Sequence, residues 1–130
     1  MTGYSVKIAD ASKELTKKER VMLKDTGDAL KLDELIQGEP FIINPDYWVK
    51  LMVHNEKSDN VDYPVYLIVD KNGTKYVTGS EAFWTTFSDI WDEMTDEMTG
   101  DGNDEEWQLK CYKLDSKNYK GKQFLTCSVI

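Results

Sequence analysis

Between Tyr47 and His54 every second side chain is apolar: Tyr47, Val49, Leu51 and Val53 share one face of an extended chain, and Trp48, Lys50, Met52 and His54 share the other. A period of two predicts a strand whose first set faces the core. Residues 41–44 are equally rich in aromatic and β-branched types and predict a preceding strand, with Asn44-Pro45-Asp46 as a break or bulge between the two. The polar stretch 56–62 predicts a turn and 63–70 a further strand. The Asn72-Gly73 pair predicts a two-residue hairpin returning through 75–78. Upstream, Thr16-Lys17-Lys18-Glu19 has the form of a capping box with Leu15 as its staple, while 20–24 before Asp25-Thr26-Gly27-Asp28 reads as a strand entering a turn. A brief helical turn and then a strand is expected there, after an N-terminal extension over 1–19.

At Ser80 the period changes. Phe83, Phe87, Ile90, Trp91 and Met94 recur at three- and four-residue steps, which predicts an amphipathic helix over 80–98 with Ser80 as N-cap. Trp84 lies beside that stripe. Two strands, 107–114 and 122–129, close the chain as a hairpin. A strand meander over 20–78, one helix, then a hairpin over 107–130 is the element order of an OB-fold, a five-stranded, partly open barrel with its helix between the third and fourth strands. The expected class is therefore mainly β. An open α+β sheet with one covering helix is the alternative.

Length and charge narrow the function. At 130 residues and 15.0 kDa the chain fits one domain, and a net charge of −8 argues against attraction of nucleic acid or anionic membrane to the whole surface. The charge is unevenly spread, however. Ten acidic and no basic residues fall in 81–106, whereas 107–130 carries five lysines against Asp115 alone. The cysteines, Cys111 and Cys127, match no zinc pattern and are expected as free core thiols; one histidine makes a multi-histidine metal site impossible. No cofactor or metal is expected. Neither a spanning apolar run nor a leader sequence is evident, so a soluble, cytoplasmic protein is expected.

In the closing hairpin, parity puts Trp107, Leu109 and Cys111 with Leu125, Cys127 and Val129 on a core face. Lys110, Tyr112 and Phe124 are left outside, next to a loop carrying Lys117, Tyr119, Lys120 and Lys122. Lysines neutralise phosphates and aromatic faces stack on unpaired bases, so this mixture points to single-stranded nucleic acid. In an OB-fold the groove crosses the second and third strands, which adds Trp48, Lys50, His54 and Tyr66. A solvated hairpin tip is also lysine-rich, Trp48 also fits satellite core, and His54 also fits a structural role. The acidic residues Asp92, Glu93, Asp96, Glu97, Asp104, Glu105 and Glu106 read as the wet face of a helix and a charged loop. They read alternatively as a surface for basic replication or host proteins, or as an inhibitor's mimic of nucleic acid. Without a Ser-His-Asp or Cys-His pattern, a phosphate loop or a dinucleotide fingerprint, no enzyme is expected.

Two strings carry a resemblance: Tyr76-Val77-Thr78-Gly79-Ser80-Glu81-Ala82-Phe83-Trp84, and Ser116-Lys117-Asn118-Tyr119-Lys120-Gly121-Lys122 with Phe124-Leu125-Thr126-Cys127. They resemble small proteins of bacteriophages and integrated elements, some of which are single-stranded DNA-binding proteins. The resemblance runs from about Arg20 to the C-terminus. It implies an OB-like fold and a role coating single strands in replication or recombination, compatible with homo-oligomers. One departure is that familiar bacterial single-strand binders end in an acidic tail, whereas this chain ends in the apolar run 125–130.

Overall fold

The computed structural model describes residues 4–36, 39–57, 59, 61–95, 107–115 and 121–130. In chain order they form β1 (Tyr4–Ala11), α1 (Lys17–Lys24), β2 (Leu30–Lys31), α2 (Leu32–Leu35), β3 (Phe41–Ile43), β4 (Pro45–Asn55), β5 (Asp62–Asp70), β6 (Lys75–Thr78), α3 (Glu81–Thr95), β7 (Leu109–Asp115) and β8 (Gln123–Val129). The fold is mainly β. Its strands make two sheets, ordered β1-β4-β5-β6-β2 and β3-β7-β8, and among the described residues neither closes into a barrel. The chain divides into two compact units, Met1–Leu32 with Pro45–Gly79, and Asp33–Asn44 with Ser80–Ile130. The break expected at Asn44 is where β3 and β4 part into different sheets, and the β4 register shifts between Pro45 and Tyr47.

In the first unit the alternation along β4 sets the core. Leu51 stands between Ile8 and Val65, and Val49 between Ala11 and Leu67, which in turn faces Val77. With Leu23, Tyr47 and Val69 these residues form one hydrophobic cluster. On the opposite face the cross-strand rows are Trp48, Ile68, Tyr76 and Lys50, Tyr66, Thr78. Ile68, Tyr66, Tyr76 and Thr78 are buried, so β5 and β6 are covered on both faces there. The segment expected as an N-terminal extension instead supplies β1, an antiparallel edge strand on β4 whose Val6 and Ile8 pack on the cluster.

Residues 20–24 are helical, not extended. The capping box at Thr16 is complete, with Glu19 N–H on the Thr16 hydroxyl at 3.1 Å and Thr16 N–H on Glu19 Oε1 at 3.0 Å. The Thr16 backbone bond, and then Lys13 at 2.9 Å, hold the Glu19 carboxyl down to about 2. Lys13 Nζ also sits 4.0 Å from the centre of the Tyr47 ring, which ties the start of α1 to β4. The other end of α1 is closed by Lys75, whose Nζ donates to Met22 O at 3.2 Å and Asp25 O at 2.8 Å and pairs with Asp28 Oδ1 at 2.6 Å. A lysine there satisfies orphan carbonyls and complements the negative end of the helix dipole. Lys75→Met keeps the stem but removes the ammonium, and should cost about 1–2 kcal/mol. A urea midpoint unchanged from wild type would show that the cap contributes nothing.

The β5–β6 connection also differs from the two-residue turn expected. Only Gly73 has positive φ, at +86°, and Asn72 does not. Gly73 N–H bonds Asp70 O at 3.0 Å, while Asp70 Oδ1 accepts from Asn72 N–H at 2.9 Å and Thr74 N–H at 2.8 Å. The Asp70 carboxylate organises a longer loop ending in a left-handed glycine.

The second unit is smaller. Ser80 caps α3 through Phe83 N–H on its hydroxyl at 3.2 Å, and α3 packs on β8. Phe83 and Phe87 are fully buried, as are Ile43, Leu109 and Cys111, with Leu125 and Cys127 nearly so. A chain of rings runs from Phe83 to Phe87 (6.2 Å), Trp91 (6.0 Å) and Trp107 (6.0 Å), with Trp84 5.0 Å from Phe87. Trp84 thus completes the stripe. Cys111 and Cys127 are directly opposed across β7 and β8 as free buried thiols; burial pushes both up, Cys127 to about 12, so neither is a nucleophile at neutral pH.

Candidate nucleic-acid interface

Pairing in the three-stranded sheet fixes which side chains share its other face. Ile42, Lys110 and Ser128 form one row, Tyr112 and Thr126 a second, and Leu114 and Phe124 a third. Residues that alternate with these bury the core, so this face is what remains outside. Ile42, Leu114 and Phe124 are 42%, 45% and 41% exposed, which is unusual for large apolar side chains sharing one surface. Lys110 Nζ lies 5.5 Å from the centre of the Tyr112 ring. A cationic head is therefore held beside an aromatic ring. Beside them lies a cleft of about 210 Å³, between Lys110, Tyr112 and Gln123 on the sheet and Ile36, Glu39 and Pro40 before β3.

Lys110, Tyr112 and Phe124 are thus brought together as expected from parity. Ile42 and Leu114 were missed. Ile42 was detectable as the odd residue between inward Phe41 and Ile43, but its placement beside Lys110 depends on the long-range pairing of β3 with β7. Lys113 is committed elsewhere, donating to Asp33 O at 2.7 Å. Lys122 is exposed next to Gly121, whose φ is +84°. Lys117, Tyr119 and Lys120 lie outside the described residues, as do Asp96, Glu97, Asp104, Glu105 and Glu106. Asp92 and Glu93 are exposed on α3.

The remaining candidates belong to the other sheet and the other unit. Trp48 is half-buried with its indole Nε1 shut from solvent. Its backbone is bracketed by Ser12, whose hydroxyl accepts from Trp48 N–H at 2.9 Å and whose N–H donates to Trp48 O at 3.0 Å. Lys50 stands across from Asp10, an acid that competes with any phosphate. Tyr66 is 5% exposed, because the face expected to be open is covered at β5, and its ring is not offered for stacking.

His54 is held between acids, with Nδ1 2.8 Å from Asp62 Oδ1 and Nε2 3.5 Å from Glu56 Oε1. Asp62 first, then Glu56, raises its pKa above the usual 6.5. Because the folded value is raised, the stabilisation is fully present below the unfolded value and is lost as pH rises through the folded one. The single histidine gives one imidazole signal in a proton NMR titration. Its midpoint should lie above 6.5 and fall in Asp62→Asn; a midpoint at or below 6.5 would rule out the pairing.

Among the described residues, no His, Cys, Asp and Glu side chains gather in a group of three that could hold a metal, and no helix is long and apolar enough to cross a membrane. No protein-family model matches the chain, and no curated protein or solved structure is significantly similar to it.

Proposed function

We propose that this protein binds single-stranded DNA without catalysis, through the open face of the β3-β7-β8 sheet. Tyr112 and Phe124 stack on bases, Lys110 and Lys122 hold phosphates, and Ile42 and Leu114 supply apolar contact with base faces. The observation that carries this reading is the pairing of Lys110 with the Tyr112 ring on a face that also exposes Phe124, Ile42 and Leu114. Aromatic and apolar groups take any base, so sequence preference is weak. The role proposed is coating single strands during replication or recombination of a phage or mobile element in its host's cytoplasm, in keeping with the two strings noted above. An OB-type relationship belongs to the same proposal and rests on element order alone: strand meander, helix, closing hairpin.

Tryptophan quenching is a poor probe, since Trp84 and Trp91 lie on α3, the helix packed on the opposite face. Anisotropy of an end-labelled oligo(dT) is the better measurement. Binding should weaken linearly in log–log form with salt, at about 0.7 per phosphate neutralised, and duplex DNA should bind less well. Absence of binding at low salt would refute the proposal.

A second reading is favoured by α3 itself, which exposes Glu81, Asp89, Asp92 and Glu93 and holds no basic residue. On that reading the acidic surface takes a basic protein, and the same titration shows no oligonucleotide binding.

A further inference from the structure

The cleft beside Tyr112 differs from the rest of the open face because an acid lines it. Of its lining residues only Ile36 is buried, so the cleft is open to solvent. Its volume of about 210 Å³ falls below the roughly 300 Å³ at which cofactor sites begin, and suits a single flat ring system.

The polar groups around it are unequal in what they can still do. Lys113 Nζ donates to the Asp33 carbonyl at 2.7 Å, a neutral partner that leaves its charge uncancelled, and Lys110 Nζ stands over the Tyr112 ring. Two cations suit a phosphate. Gln123 Nε2 donates to Asp115 Oδ1 at 3.2 Å; a carboxylate only accepts, so the amide is oriented with Oε1 as its remaining acceptor. Glu39 is the odd member, since its charge repels the phosphates that the lysines attract. It is exposed, it lines the cleft, and its two oxygens can only accept.

We infer that the cleft takes a guanine base. The inference rests on the reading of this face as the single-strand interface. Among the four bases only guanine presents two adjacent donors, N1–H and the N2 amino group, to match the paired oxygens of one carboxylate. Thymine sets a single N–H between two carbonyls that repel Glu39, and adenine and cytosine each set one amino group beside a bare ring nitrogen. The guanine O6 is left to an ammonium, of which the cleft has two, and the ring stacks on Tyr112. Elsewhere on the face any base fits.

The test compares the affinity of the full chain, by anisotropy, for end-labelled oligo(dT) and for the same strand with one central dG. The dG strand should bind about tenfold tighter, the discrimination of one bidentate pair. Deoxyinosine at that position keeps N1–H but lacks the amino group, and should lose most of the gain. Glu39→Gln, at an exposed position, should abolish the preference yet bind oligo(dT) at least as well as wild type, since a charge that opposes phosphates is gone. Free dGMP should bind far more weakly than the strand; equal affinity would overturn the strand as the source of the base. If oligo(dT) binds and dG adds nothing, or if the preference survives Glu39→Gln, the guanine inference falls while the interface stands. A chain that binds neither strand refutes the interface, and the inference falls with it.

Discussion

Replacing Tyr112 and Phe124 together by alanine is expected to weaken oligo(dT) binding by about 2–6 kcal/mol, a factor of roughly thirty or more, while the protein stays folded. Each ring stands outside the core, Tyr112 half-buried and Phe124 41% exposed, so truncation removes stacking surface but opens no interior cavity. Lys110→Gln separates the electrostatic part. It should lower the salt slope by about 0.7 and weaken binding evenly across sequences. Trp48→Ala, in the other sheet, should change the affinity little. A double variant that binds like wild type would remove the β3-β7-β8 face from consideration.

Phe87→Ala is expected to have the largest effect on stability, about 3–5 kcal/mol. Phe87 has no exposed surface and lies within 6.2 Å of Phe83, 5.0 Å of Trp84 and 6.0 Å of Trp91, ring centre to ring centre. Its removal leaves three rings around a void in a small unit, and aromatic side chains anchored by a helix and a sheet cannot collapse far into it. Against a total of about 5–15 kcal/mol for a typical domain, such a loss leaves little margin. Fluorescence during urea unfolding follows this unit closely, since three of the four tryptophans, Trp84, Trp91 and Trp107, belong to it. The Phe87→Leu variant, which keeps most of the volume, should lose less than about 1.5 kcal/mol. A loss below 1 kcal/mol for Phe87→Ala would show that the ring chain is not the centre of the unit.

Local periodicity was a good guide wherever the partners were close in sequence. The β4 alternation, the β5–β6 hairpin, the α3 stripe and the parity of β7 and β8 all follow from side-chain periods of two and 3.6. Pairings between distant segments leave no such mark. β1 lies within the segment expected as an extension: the alternation of Val6 and Ile8 is short, and its strand character comes from pairing with β4. α1 held two signals at once, and the capping box with Lys75 at the far end decided for helix. Parity placed Trp48, Lys50 and His54 on one face, and Lys110, Tyr112 and Phe124 on another. It carries no information on whether two strands share a sheet, and the expected groove accordingly divides between two sheets. Nor does it tell whether a second face is covered, which is how buried Tyr66 came to be expected in the open.

The excursion of residues 33–44 into the second unit sets a schedule for folding during synthesis. β3 pairs with β7, whose strand begins at Leu109, so Phe41, Ile42 and Ile43 emerge from the ribosome long before anything exists to pair with them. The first unit, complete by Gly79, can form around this excursion while it waits as an unpaired apolar loop. Chains truncated near residue 100, with the first unit complete and β7 absent, should accordingly be the species most in need of a chaperone, and restoring β7 and β8 should end that need.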